Sequence, residues 1–250
     1  MSRILILGGT TEARELATML AQRGADATLS LAGRTATPVA MPLPTRHGGF
    51  GGIAGLVEYL RTSGTEALVD ATHPYAAAMS HHAAEASALA PVKLLALRRP
   101  AWRRQEGDDW LEVGDAAEAV SALGAAPRRA FLALGRQELR PFEAAPQHRY
   151  LIRSVDPVEP PLAVPDALYV VARGPFDIAW ERLLLESEAV DTIICKNSGG
   201  TATYGKIAVA RALGLRVIML RRPTLPEAES VATPEAAMEW LAHAGMLRGV

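Results

Sequence analysis

Short apolar runs alternate with amphipathic stretches along nearly the whole chain. Residues 192–195 form a four-residue apolar run, and the polar, glycine-bearing segment 196–200 leaves it. Residues 204–213 then repeat apolar positions at helical spacing, Gly214 stands just past the helix end, and 216–220 is apolar again. The unit is strand, polar loop, helix, strand. The same reading predicts strands over 3–7, 27–31, 67–71, 94–97, 130–134, 150–153 and 168–173, with a short strand before Gly48. Helices are predicted over 13–23, 53–63 and 115–123, and in the stretch that follows Tyr75. This alternation predicts an α/β protein with parallel sheets.

The pattern occurs twice. Residues 67–100 resemble 191–223, and both end in Leu-Arg-Arg-Pro, at an offset of 123 residues between Pro100 and Pro223. Residues 5–8 resemble 132–135 at nearly the same offset, and the stretch after Glu112 resembles the stretch after Ser230. Two similar halves are therefore expected, 1–125 and 126–250, with 124–128 as the linker.

With 250 residues, 49% of them hydrophobic, each half can bury a core. The apolar run after Arg3 is too short for a signal peptide or a membrane span, so the protein is read as soluble and cytoplasmic. The lone cysteine, Cys195, excludes an internal disulfide and CxxC metal clusters, and no metal is expected; its expected job is packing. Adjacent His81 and His82 point in different directions from a helix and make a poor metal site. A net charge of −1 gives no global attraction to nucleic acid or to an acidic membrane. Lysine occurs only at 93, 196 and 206, so 23 of the 26 basic residues are arginine. Coding bias accounts for part of this; arginine's planar fork for carboxylates and phosphates accounts for another part.

Several loops at strand ends carry candidate chemistry. Gly8-Gly9-Thr10-Thr11-Glu12 runs from a strand into a helix, the arrangement in which backbone N–H groups and the helix dipole hold a phosphate; an ordinary tight turn reads the same way. Arg34 follows the second strand, where an arginine accommodates the 2′-phosphate of NADP; a solvent-exposed loop arginine is the other reading. The glycines of 48–52 suit close approach to a ligand or a mobile surface loop. His73, in the Thr72–Tyr75 loop, is either a proton donor or ligand contact, or a helix cap beside Pro74. In the second half Arg136 stands where the first has its second glycine, which replaces room for a pyrophosphate by a cation. Arg136, Arg153, Arg173, Lys196 and Arg221 are expected to converge on one sheet edge, suiting a ligand with several carboxylates or phosphates.

Taken in order, ILILGGTTEAREL, SLAGRT, GGFGG, DATHPYA, ARGPF and KNSGG with YGKIAVARALGLRVIMLRRP resemble the precorrin-6A reductase family of cobalamin biosynthesis over nearly the full length. The resemblance implies two Rossmann-like halves with the active site in the cleft between them, and reduction by NADPH of one carbon–carbon double bond of the macrocycle, giving precorrin-6B. It implies that Gly8, Gly9, Thr10, Thr11, Glu12 and Arg34 hold NADPH/NADP, joined by Thr72, Gly199, Gly200 and Thr201. Asn197, Ser198, Tyr204 and Lys206 would face the macrocycle, with Tyr75, Arg136, Arg173 and Arg221 also on the substrate. Lys196 and His73 are the catalytic candidates, with carboxylate anchoring the simpler role for Lys196. The Tyr-x-Lys spacing of Tyr204 and Lys206 is not the Tyr-x-x-x-Lys of short-chain dehydrogenases, so that proton relay is not transferred. Expected partners are precorrin-6A and, transiently, neighbouring enzymes of the pathway. Two other readings fit the same pattern: a non-catalytic NADP-sensing protein of two such halves, and a transferase of the same pathway.

Overall fold

The computed structural model describes residues 3–33 and 40–247. The chain forms two compact units, one of Met1–Pro100 with Pro223–Val250 and one of Ala101–Arg222.

In the first unit the strands are β1 (Arg3–Leu7), β2 (Ala27–Leu31), β3 (Thr45–His47), β4 (Thr65–Asp70) and β5 (Lys93–Leu97). They are joined through α1 (Thr11–Gln22), α2 (Gly52–Thr62) and α3 (Ala77–Leu89). In the second unit β6 (Asp109–Val113) and α4 (Ala116–Leu123) come first, then β7 (Arg129–Ala133), β8 (Arg149–Ser154) and β9 (Ala167–Val171). They are followed by α5 (Ile178–Ser187), β10 (Thr192–Lys196), α6 (Gly205–Leu213) and β11 (Arg216–Leu220). The chain then returns to the first unit as β12 (Ser230–Val231) and α7 (Pro234–His243).

Among the described residues each unit has one six-stranded, all-parallel sheet, ordered β3-β2-β1-β4-β5-β12 and β9-β8-β7-β10-β11-β6. Both orders are the doubly wound pattern 3-2-1-4-5-6. The α/β class and the paired, similar halves expected from the repeat are both present. Alternation along each strand feeds two helix layers. Ile4, Ile6, Leu29, Val69 and Leu95 pack with Leu16 and Leu20 of α1 and Met238 and Leu241 of α7. Leu5, Leu7 and Leu68 face Leu56 and Leu60 of α2 and Ala83 and Ala86 of α3. In the second unit Phe131, Ile193, Cys195, Val217 and Met219 pack with Leu185, Ile207 and Ala210. Cys195 is buried there as expected, and burial pushes its thiol pKa up.

The division expected at 125/126 is not where the chain divides. Each sheet takes its sixth strand, and the helix after it, from the other half of the sequence: β6 lies beside β11, and β12 beside β5. The segment after Pro100 is tied to the second unit by a buried carboxylate. Asp108 accepts from Arg211 Nε and Nη2 at 2.9 and 3.2 Å and from the Gln105 N–H at 2.7 Å. The helix at 116–123 forms as expected, with Asp115 capping it through Glu118 N–H, but it packs on β11 instead of completing the first half. Residues 124–128 therefore join α4 to β7 within one unit and are not a linker. Among the described residues no helix is long and apolar enough to cross a membrane.

Candidate functional site

In a doubly wound sheet ligands bind outside the carboxyl ends of the strands, where successive connections leave in opposite directions. In the first unit that point lies between β1 and β4, the strands that precede the Gly8–Glu12 and Ala71–Tyr75 loops. Gly8 donates its N–H to Ser30 O at 2.9 Å, and a Cβ there would stand 2.7 Å from Leu29 Cδ1. Gly9 has φ +129°, which side chains avoid. Thr10 caps α1, accepting from Ala13 N–H at 3.1 Å while donating to Ala71 O at 2.9 Å, so one hydroxyl ties the two loops together. Among the described residues no protein acceptor meets the N–H groups of Gly9, Thr10, Thr11 or Glu12. Glu12 pairs with Arg99 at 2.6 Å beside this helix end.

The second loop is built on buried Asp70. It accepts from Thr72 Oγ1 at 2.7 Å, Thr72 N–H at 3.2 Å and Ser80 Oγ at 2.6 Å, with Arg98 3.9 Å away. The Thr72 hydroxyl is thus bonded to Asp70, not turned outward to a ligand. His73 Nδ1 accepts from Tyr75 N–H at 3.3 Å and its carbonyl from Ala76 N–H at 2.7 Å, while the two rings lie 5.7 Å apart. His73 therefore holds the turn ahead of α3 and is not its cap, since the N-cap position is Ala76 and no side chain caps this helix; an accepting Nδ1 puts the proton of the neutral ring on Nε2. Arg34 lies outside the described residues. The glycine loop after β3 is held by Arg46, which donates to Ser30 Oγ at 2.9 Å, Gly48 O at 3.0 Å and Gly49 O at 3.1 Å and lies 3.8 Å from the Phe50 ring centre. Sequence reasoning passed over Arg46, although a lone arginine before a glycine run was its signal.

In the second unit the corresponding point lies between β7 and β10. The 197–201 loop carries two successive left-handed glycines, Gly199 at φ +69° and Gly200 at φ +66°. Its carbonyls point inward. Arg222 donates to Asn197 O at 2.8 Å and to Ser198 O at 3.1 Å, and Trp102 Nε1 donates to Gly200 O at 2.7 Å. A trans peptide sets N–H opposite C=O, so the N–H groups of Gly199 and Thr201 point away from Arg222 and Trp102. That face of the loop suits an anion. Trp102 and Arg222 were absent from the sequence-derived site, because nothing local ties residue 102 to a loop 95 positions away.

Three expectations change here. Asn197 is not offered to a ligand: its amide is occupied on both sides by Trp102, accepting from the backbone N–H at 2.8 Å and donating to the carbonyl at 3.0 Å. Lys206 does not face outward either. It is 3% exposed, donates to Thr203 O at 2.6 Å and lies 4.8 Å from the Trp102 ring centre, and burial lowers its pKa. Arg153 leaves the expected rim, since it is buried in a bidentate pair with Glu181 at 2.9 and 3.0 Å, with Phe176 stacked at 3.7 Å. Tyr204 is half-buried and accepts from Arg211 at 2.8 Å, an interaction that with Asp108 raises the Arg211 pKa. Arg136, Arg173 and Arg221 remain exposed; Arg136 reaches Pro157 O at 3.2 Å and stands 3.8 Å from Asp156. Lys196, at the end of β10, pairs with Glu138 at 2.6 Å, and Ser198 N–H donates to Lys196 O at 2.8 Å.

Comparison with known proteins assigns the family. Residues 3–242 match the family described as precorrin-6x reductase CbiJ/CobK. The precorrin-6A reductase of Rhodobacter capsulatus is 53% identical over 251 residues, covering 100% of both chains. The precorrin-6A reductase of Sinorhizobium sp is 54% identical over 242 residues, 96% of this chain and 93% of that one. A solved structure of CobK precorrin-6A reductase superposes with a TM-score of 0.96 at 53% identity, covering 100% of both chains. With the match spanning both units and the exchanged strands, the chain belongs to the precorrin-6x reductase family.

Proposed function

We propose that this protein reduces precorrin-6A to precorrin-6B in cobalamin biosynthesis with a hydride from NADPH. The observation that carries the cofactor assignment is the run of unpartnered N–H groups from Gly9 to Glu12 at the start of α1, beside a Gly8 with no room for a side chain. These residues fit a pyrophosphate: the backbone donates, and the helix dipole favours the negative charge. NADPH when bound would supply the hydride. Thr10 would hold the phosphate turn against Ala71, and Arg34 would meet the 2′-phosphate.

Precorrins carry acetate and propionate side chains, and the second unit has several cations at its strand ends to meet them. Arg136, Arg173 and Arg221 are exposed there, and Lys196 ends the strand beside the 197–201 loop. Their role is to fix the macrocycle's carboxylates, while the outward N–H groups of Gly199 and Thr201 take a further oxygen. The protein's own contribution is positioning, exclusion of water and delivery of one proton.

The test is to mix the purified protein with precorrin-6A and NADPH and follow nicotinamide oxidation together with the macrocycle spectrum, then repeat with NADH and with the cobalt-containing macrocycle. Turnover that prefers NADPH is the expected result. Cofactor binding without spectral change in either macrocycle refutes the assignment.

A further inference from the structure

At the second unit's switch point one buried polar atom has no partner. Glu138 sits in the first 3-10 turn after β7 (Arg136–Glu138), and its Oε1 accepts from Lys196 Nζ at 2.6 Å. Its other oxygen, Oε2, is buried with no hydrogen bond. Gly135 makes this seat possible, because a Cβ there would lie 2.5 Å from Oε2 and 3.7 Å from Lys196 Nζ. The Glu138 N–H also donates to Gly135 O at 3.0 Å, so the carboxylate is built into the turn. A glutamate serving only to neutralise a surface lysine would keep both oxygens in water; an unsatisfied buried acceptor calls for another explanation.

The reaction supplies one. A hydride adds an electron pair and one hydrogen nucleus, so the product needs a proton at the atom next to the hydride acceptor. The arginines near Lys196 do not release protons at working pH. Lys206 is buried against Thr203 O, and Tyr204, at the start of α6, has its hydroxyl turned to Arg211. Lys196 is the acid that ends β10 itself. We propose that Lys196 donates the proton of the reduction and that Glu138 is the residue that positions its ammonium, seated by Gly135. This rests on the reading of the second unit as the macrocycle side.

In the step, the π pair of the reduced bond shifts to the neighbouring atom as the hydride arrives at its partner, and that atom takes a proton from Nζ. The lysine is left as a neutral amine and is reprotonated from water. Glu138, from the turn after β7, is the charged group bonded to Nζ, and Arg222, from the end of β11, is engaged on the carbonyls of the next two residues, Asn197 and Ser198.

The experiment compares Lys196→Arg, Glu138→Gln and Glu138→Asp with the wild type, reading kcat, KM for each substrate, and NADPH affinity as a check on folding. Lys196→Arg keeps the charge and loses the transferable proton, so kcat should fall about 100-fold with the macrocycle KM little changed. Glu138→Gln should lower kcat with the macrocycle KM little changed, because Nζ loses the carboxylate that holds it in place; Glu138→Asp should recover part of the loss. Wild-type kcat in Lys196→Arg or in Glu138→Gln overturns the inference and leaves the reductase reading standing. A wild type that turns over neither macrocycle overturns the reading beneath it, and the inference with it.

Discussion

The pair Arg153–Glu181 lies beneath the second unit's strand ends, and removing one member tests how far it holds them. Arg153 and Glu181 side chains are 5% and 0% exposed, bonded twice at 2.9 and 3.0 Å. Glu181→Met leaves a guanidinium in the core without its counter-charge. Two unit charges 4 Å apart attract by about 4 kcal/mol at an effective dielectric near 20, and breaking a buried pair from one side costs about 3–5 kcal/mol. The Phe176 ring lies 3.7 Å from the guanidinium with or without Glu181, so its attraction cancels in the difference. A loss of about 3–5 kcal/mol follows, against about 5–15 kcal/mol for a whole domain. The double variant Arg153→Met with Glu181→Met removes both charges and should return to within about 1–2 kcal/mol of the wild type. Urea unfolding followed by tryptophan fluorescence measures this, because Trp102, Trp110 and Trp180 all lie within Ala101–Arg222. A single variant within about 1 kcal/mol of the wild type, or a double variant as unstable as the single, refutes the reasoning.

Other consequences can be checked in the same way. His148 is buried, and its pKa is lowered from 6.5 chiefly by desolvation, so the unfolded state binds its proton first; stability from this group is full above pH 6.5 and falls as pH drops toward the folded pKa, a slope that His148→Gln should flatten in pH-dependent urea melts. Gly9→Ala forces a side chain onto φ +129° and should cost about 1–3 kcal/mol of local strain, read as a raised KM for NADPH with little change for the macrocycle. Asn197→Asp replaces the donor to Trp102 O by an acceptor and should raise the macrocycle KM about 10-fold or more, leaving NADPH affinity intact; equal effects on both ligands would count against the loop's assignment. A fragment of residues 101–222 should unfold cooperatively, whereas 126–250 lacks β6 and α4 and carries β12 and α7 with no sheet to join; circular dichroism melts that favour the second fragment would refute the division.

The succession of strands and helices was legible because it rests on local patterns: apolar runs of four or five residues, glycines at helix ends, and caps such as Thr10 and Asp115. The candidate loops were legible as loops for the same reason, since each follows a strand directly. What was not legible depends on distant partners. Arg153 and Lys196 both end apolar strands, yet one meets Glu181 in the core and the other Glu138 at the edge, and no neighbouring residue distinguishes them. Asn197 and Lys206 had the composition of ligand residues because a braced glycine loop needs polar groups behind it as well as in front.

The strand exchange shows the same limit at the scale of the fold. The repeat correctly aligned the segment after Glu112 with the segment after Ser230, and these are the two pieces that change units. Equivalence between them makes the exchange possible: each supplies an edge strand and a helix of the kind the other sheet lacks. A pattern of apolar positions specifies that Trp110 and Val113, or Met238 and Leu241, must be covered; it does not specify by which sheet. The choice is made by contacts such as the Asp108 carboxylate with Arg211, which join residues 103 positions apart.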